Sequence, residues 1–248
     1  MQSHQMIEQL RGLRLHGMAE ALEQQLGSSS FADIGFERRL QMLLHKEFSN
    51  RETARFNRII KNAKLKVIAH PVDIKYPPGR NLDKSVVSDL LTCSWIHSNR
   101  GVLITGATGT GKTWLACALG VQAAQMGHTV MYRRTTRLLE ELSLAQDDGS
   151  ILKLRNQIAR TKLLILDDFG IKDLTVQGRN DLLEVLDDRD DSGALIIAGQ
   201  KPVREWHDWI KDPTIADAIL ERVVHQSVKL EMKGDSMRKA ARRAPQPA

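Results

Sequence analysis

The sequence predicts an α/β fold, a parallel five-stranded sheet covered by helices on both faces, preceded by a small all-α N-terminal domain. Three observations predict it. After residue 100, short apolar runs alternate with helical patterns, the signature of strand–helix–strand units. A glycine-rich segment joins the first of these runs to the first helix. Before them, residues 70–81 (HPVDIKYPPGRN) hold three of the seven prolines and break the helical pattern of the first third. A boundary is therefore expected between a helical domain, 1–67, and an α/β domain, 68–248.

The elements follow in order. Ile7, Leu10, Leu15, Met18, Leu22 and Leu26 recur at helical spacing and predict a helix over 5–27. Gly27 to Ser30 interrupts it, and Ser30 with Asp33 has the spacing of a capping box. Phe36, Leu40, Leu43, Leu44 and Phe48 predict a second helix. Ile59, Ile60 and Ala63 predict a third, running to about Lys66. Arg51, Arg55, Arg58, Lys61 and Lys64 lie at helical spacing along it, a row suited to phosphate contact. Strands are expected at Gly101–Thr105, Thr129–Tyr132, Leu163–Leu166, Ala194–Ala198 and Gln226–Met232. Helices fit between them at 112–126, 136–160 and 175–191.

Composition narrows the function classes. The 248 residues are 42% hydrophobic and 27% charged, enough to build a core. No apolar run reaches the ~18 residues of a membrane span, and the opening residues lack a signal peptide's apolar stretch. Cys93 and Cys117 have neither metal-site nor redox-motif spacing. A cytoplasmic protein with no membrane partner is expected. The net charge of +6 is uneven: residues 1–66 carry +4, residues 229–248 carry +4, and the middle carries −2. Basic ends suggest a polyanionic partner.

Gly106-Ala107-Thr108-Gly109-Thr110-Gly111-Lys112-Thr113 fits the phosphate-loop pattern G-x-x-x-x-G-K-[ST]. It follows the apolar Val102-Leu103-Ile104 and opens a helix at Trp114, the context the motif requires. Glycines let the backbone N–H groups converge on phosphate oxygens, and the helix N-terminus adds partial positive charge. Lys112 would reach the terminal phosphates of ATP, and the Thr113 hydroxyl would ligate Mg²⁺. Leu163-Leu164-Ile165-Leu166-Asp167-Asp168 is an apolar strand ending in two carboxylates, the arrangement of a Walker B element. Because strand residues alternate sides, the acids should divide the work. Asp167 would hold Mg²⁺, and Asp168 would take a proton from attacking water, which favours hydrolysis. Gln200, ending the apolar run at 195–198, would orient the water or the γ-phosphate.

These motifs together resemble the AAA+ ATPases, and within them the initiators and helicase loaders typified by DnaA and DnaC. Along nearly the whole chain the sequence resembles the IstB family, ATPase helpers of insertion-sequence transposition. The segments LRGLRLHGMAEALEQQL, FERRLQMLLHKEFSNRETARFNRIIKNAKLK, GATGTGKTWLACALG, LLILDDFG, REWHDWI, DPTIADAILERVVH and GDSMRK follow in that family's order. The resemblance implies an AAA+ P-loop NTPase core, and with 26 residues after Arg222 a minimal lid is expected in place of the full helical one. It also implies an arginine finger acting in trans at Arg222 and a sensor II arginine at Arg238. Gly199 stands where the family usually has serine. Between the second and third strands the clade carries a helical insertion that lines a nucleic-acid channel. Here that segment offers Arg133, Arg134, Arg137, Lys153, Arg155 and Arg160, without interleaved aromatics. Phosphate contact with double-stranded DNA, with little sequence preference, is the implied mode.

The resemblance thus implies an ATP-dependent, DNA-binding oligomer that recruits and activates a cognate transposase. A DnaC-like helicase loader shares the same core. A slowly hydrolysing nucleotide-dependent scaffold and a small-molecule phosphate-loop kinase are rivals from other classes. Asp168 disfavours the first of these, and the basic termini disfavour the second.

Overall fold

The computed structural model describes residues 2–190 and 192–237. The chain divides into two compact units, one reaching Arg58 and one beginning at Ile59. Among the described residues no helix is long and apolar enough to cross a membrane.

The first unit opens with α1 (Gln2–Gly12) and α2 (His16–Leu26), where one helix over 5–27 was expected. The break is a left-handed cap: Arg14 has φ 60°, and the Leu15 N–H reaches back to the Leu10 carbonyl at 2.8 Å. The next helix, α3 (Phe36–Ala63), is continuous over 28 residues where two were expected. No glycine or proline lies between Phe48 and Arg55 to end it. Glu47 on α3 supplies the cap that α2 lacks. Its Oε2 accepts the N–H of Gly17 at 2.7 Å and of Met18 at 3.2 Å. A Cβ on Gly17 would lie 2.6 Å from the Glu47 Cα, so only glycine permits this approach. Burial disfavours the Glu47 carboxylate, but Arg51 and the two N–H groups outweigh it and hold the carboxyl below its ordinary range.

The second unit begins within the last turn of α3. Lys64 takes φ 53° and leaves the helix, so it drops out of the basic row expected there. Residues 70–81 are not a free connection: Ala69, Ile74, Arg80 and Leu82 flanking and within them are buried. Then come α4 (Lys84–Leu91), α5 (Ser94–His97), β1 (Gly101–Gly106), α6 (Lys112–Gln125), β2 (Val130–Arg134), α7 (Thr135–Asp147) and α8 (Ile151–Ala159). They are followed by β3 (Leu163–Phe169), α9 (Val176–Asp187), β4 (Ala194–Gly199), α10 (Trp206–Ile210), α11 (Pro213–Val224) and β5 (Ser227–Met232). The single helix expected at 136–160 is two, because Gly149 takes φ 76° and Asp148 Oδ1 caps the Ser150 N–H at 2.9 Å.

The five strands are parallel in the order β2-β3-β4-β1-β5. Leu163 to Leu166 on the inner strand β3 are fully buried, as a sheet covered on both faces demands. The chain crosses between β1 and β4 at the carboxyl ends, where ligands of open α/β sheets bind.

One buried cation braces the opposite end. Arg189 is 3% exposed and donates to the carbonyls of Ile158 (2.6 Å), Thr161 (2.9 Å) and Ala194 (2.7 Å). Burial lowers its pKa to about 10. The bracket ties the end of α8 to the starts of β3 and β4. Arg189→Met leaves three carbonyls without this donor and should cost about 3 kcal/mol. Urea unfolding would show it as a lowered midpoint, while Arg137→Met on the exposed face of α7 should shift stability by less than ~0.5 kcal/mol.

Candidate nucleotide-binding site

The phosphate loop occupies the turn from β1 into α6, and three of its glycines are there for different neighbours. Gly106, at φ 143°, faces the Met232 carbonyl of β5 so closely that a Cβ would collide with it. A Cβ on Gly109, at φ 87°, would strike Ser236, and one on Gly111, at φ 95°, would strike the Arg80 guanidinium. Inside the loop the Ala107 carbonyl accepts both the Thr110 hydroxyl and the Lys112 ammonium, each at 2.9 Å.

Two segments outside the motif hold the loop. Arg80 is 7% exposed and donates to the Thr110 carbonyl at 2.9 Å and the Lys75 carbonyl at 3.1 Å. Burial lowers its pKa. The segment after β5 comes across the other side: the Lys233 N–H reaches the Arg80 carbonyl, and the Met237 N–H reaches the Gly109 carbonyl, both at 2.9 Å. A cleft of about 990 Å³ opens here. Its wall includes Thr108, Gly109, Gly111, Lys112, Thr113 and Trp114 of the loop, with Asp167, Asp168 and Gln200 across from them.

Asp167 is 1% exposed. The Thr113 hydroxyl lies 2.9–3.0 Å from its two oxygens, and the Tyr132 hydroxyl donates to Oδ2 at 2.7 Å. Lys66 Nζ stands 3.8 Å from the same oxygen. Burial and then the Asp167 charge push the Tyr132 hydroxyl far up, so it stays a neutral donor. A hydroxyl beside a carboxylate, in a cleft wide enough for phosphates, is a donor set that suits Mg²⁺, which keeps several waters and takes few protein ligands. Among the described residues no cluster of three His, Cys, Asp or Glu would serve a metal demanding a full protein cage.

Asp168 departs from simple alternation. It takes φ 58°, and the register of β3 against β4 shifts between Leu166 and Phe169. This bulge turns Asp168 into the cleft beside Asp167 instead of to the opposite face. Arg134, at the end of β2, pairs with Asp168 Oδ2 at 3.5 Å. Gln200 is exposed on the cleft wall just past β4. The loops after both strands are pinned by the REWHDWI segment. Trp206 and Trp209 pack on Phe169, with ring centroids 4.6 and 4.8 Å away. Their indole N–H groups bond the Lys201 carbonyl at 3.0 Å and the Lys172 carbonyl at 2.8 Å.

The remaining residues singled out in the sequence lie elsewhere. Arg222 on α11 pairs with Asp187 and donates to the Ala218 carbonyl at 2.9 Å, and it does not line the cleft. Arg238 lies outside the described residues, although Met237 before it lines the cleft. Arg133 is tied to Glu141 at 2.9 Å, Arg155 to Glu184 at 2.7 Å and Asp188 at 2.8 Å, and Arg51 to Glu47 at 2.6 Å. Arg55, Arg58, Lys61, Lys64, Arg137, Lys153 and Arg160 are exposed. Sequence reasoning missed Lys66, Arg80 and Tyr132. The basic row at 51–64 stops two residues short of Lys66, and nothing in the chain's pattern marks the other two.

A glycine loop between β1 and α6, a buried carboxylate against its threonine and a five-strand parallel sheet define a phosphate-loop nucleotide-binding protein of the AAA+ fold. The model of the IstB-like ATP binding protein family matches residues 8–245, and the chain belongs to that family. It is 37% identical over 243 residues to insertion sequence ATP-binding protein y4pL of Sinorhizobium fredii, covering 98% of this chain and 99% of that one. It is 42% identical over 203 residues to the insertion sequence IS1162 ATP-binding protein of Pseudomonas fluorescens, covering 82% and 88%. Among solved structures, AMPPCP-bound DnaA from Aquifex aeolicus superposes with a TM-score of 0.58 at 20% identity, over 69% of this chain and 52% of that one. The DnaC helicase loader gives 0.57 at 20% identity, over 66% and 97%. Those two likenesses concern the fold.

Gly111→Ala should keep the protein folded but cost ~1–3 kcal/mol of backbone strain and displace Arg80 from the loop. Anisotropy of a fluorescent ATP analogue should show at least a tenfold loss of affinity, with circular dichroism unchanged.

Proposed function

We propose that this protein is a Mg²⁺-dependent ATPase that oligomerises on target double-stranded DNA when ATP is bound and then recruits and activates a transposase. The observation that carries the reading is the match to insertion-sequence ATP-binding proteins along nearly the full chain, with the nucleotide cleft intact. Those relatives favour transposition over helicase loading, although the DnaC fold is similar.

In the proposed reaction the loop N–H groups and Lys112 bind the phosphates, and Thr113 and Asp167 hold Mg²⁺. Bound there, Mg²⁺ would supply neutralisation of the phosphate charge. Asp168, turned into the cleft by its bulge, accepts the proton of the attacking water. Gln200 orients that water from the far wall. Arg222 lies away from its own cleft, which suits a finger offered to a neighbouring subunit, and Arg238 follows a residue that lines the cleft. The finger's fixed fork would stabilise the developing phosphate charge, a contribution of ~10³–10⁵ in rate in other NTPases.

Exposed Arg137, Lys153 and Arg160 on and beside the inserted helices, and Arg55, Arg58 and Lys61 in the second half of α3 with Lys64 just past it, supply phosphate contacts. Arg133, Arg155 and Arg51 contribute less, because each already has a carboxylate partner. Arg134 joins the two functions. A DNA phosphate that drew it from Asp168 would free the acid for catalysis.

Two experiments test this. Sedimentation on a random-sequence duplex should show ATP-dependent assembly that weakens steeply with salt, and Lys112→Ala should abolish the ATP dependence while leaving only weak binding. Equal assembly by parent and variant would end the nucleotide-gated reading. For the finger, Arg222→Ala and Asp168→Asn should each be nearly inactive alone. Mixed, they should regain up to about a quarter of parental turnover, because some interfaces then pair an intact finger with an intact acid. Mixing without recovery would place Arg222 outside the neighbour's site.

A further inference from the structure

Lys66 belongs to none of the nucleotide motifs, yet its placement is built. Leu65 before it packs where α6 carries glycine, so a Cβ on Gly120 would already lie 3.3 Å from Leu65 Cδ2. The backbone N–H groups of Lys66 and Val67 face the Cys117 sulfur, one turn past Thr113 on α6. With the backbone held there, the side chain runs along the wall of the cleft and ends 3.8 Å from Asp167 Oδ2. Its side chain is 32% exposed, whereas that of Asp167 is 2% exposed. Thr113 and Tyr132 give Asp167 neutral donors. Lys66 gives it a charged one.

The carboxylate that suits Mg²⁺ is thus also the partner of an ammonium. Two cations brought to one carboxylate repel each other at contact distances. Lysine, a compact charge on a flexible four-carbon stem, is the partner able to move. A nucleotide in the same cleft offers it anionic oxygens in exchange.

We propose that Lys66 is a second nucleotide lysine, which turns from Asp167 to a nucleotide phosphate and leaves the carboxylate to Mg²⁺ when the metal is present. The exchange rests on the ATP-binding reading of the cleft. Lys66 helps nucleotide bind without metal and competes with the metal when it is present. Its removal therefore weakens metal-free binding more than metal-assisted binding.

The test uses the full chain and a fluorescent ATP analogue, with Kd measured in EDTA and in millimolar Mg²⁺. Lys66→Met should raise the ratio of the EDTA Kd to the Mg²⁺ Kd about fivefold, the scale of one partly exposed charge pair. Lys66→Arg should keep the parental ratio. A Lys66→Met protein whose two Kd values change by the same factor, or not at all, overturns the exchange. If the parent binds no nucleotide under either condition, the cleft reading fails with it. Parental binding with an unchanged ratio in Lys66→Met sinks the exchange alone.

Discussion

A carboxylate buried at the end of an inner strand needs donors, and the donors of Asp167 come from three separate stretches of chain. Thr113 arrives on the helix after the phosphate loop, Tyr132 on the neighbouring strand, and Lys66 from the segment after α3. Thr135 Oγ1 bonds its backbone carbonyl at 3.1 Å. Burying the charge without them would cost several kcal/mol. The sheet order serves the site: β3 lies between β2, which brings Tyr132 to Asp167, and β4, which brings Gln200 to the wall of the same cleft. The site is therefore not a set of motifs laid on a finished scaffold. Its polar contacts are part of what holds the carboxyl ends of the strands together.

Much of this was legible in the sequence because the carriers are local. A phosphate loop is eight consecutive residues with a strand before and a helix after, and an apolar run ending in Asp167-Asp168 is equally compact. The five strands appeared within about two residues at most ends, since β1, β3 and β4 are short runs of buried apolar side chains and β5 alternates apolar with charged ones. The elements read less well failed for local geometric reasons. Arg14 and Gly149 each adopt a left-handed turn that splits an apparently continuous helix, and periodicity is blind to a single φ. Conversely, α3 runs on because its middle contains no breaker, although its apolar face drifts.

The site residues that escaped are those whose partners are distant in sequence. Arg80 touches a loop thirty residues on, and Tyr132 touches a carboxylate thirty-five residues on. Neither is marked by spacing. Alternation along β3 was the right expectation for a regular strand, and it predicted two acids with separate tasks. The bulge changes the geometry: both acids enter one cleft, at different depths and with different partners. The charged helix faces show the opposite lesson. A row of basic residues reads as one surface, but Arg51 and Arg155 are already bound to carboxylates that no linear pattern relates to them.

The strap formed by residues 233–237 has a consequence for how the molecule is made. A ribosome delivers the phosphate loop well before the strap, and the Gly109 carbonyl meets the Met237 N–H only once the chain is synthesised that far. Until then the loop has its glycines but only one of its two braces. A nascent chain thus carries a half-braced anion cradle while the strands and helices between loop and strap are made.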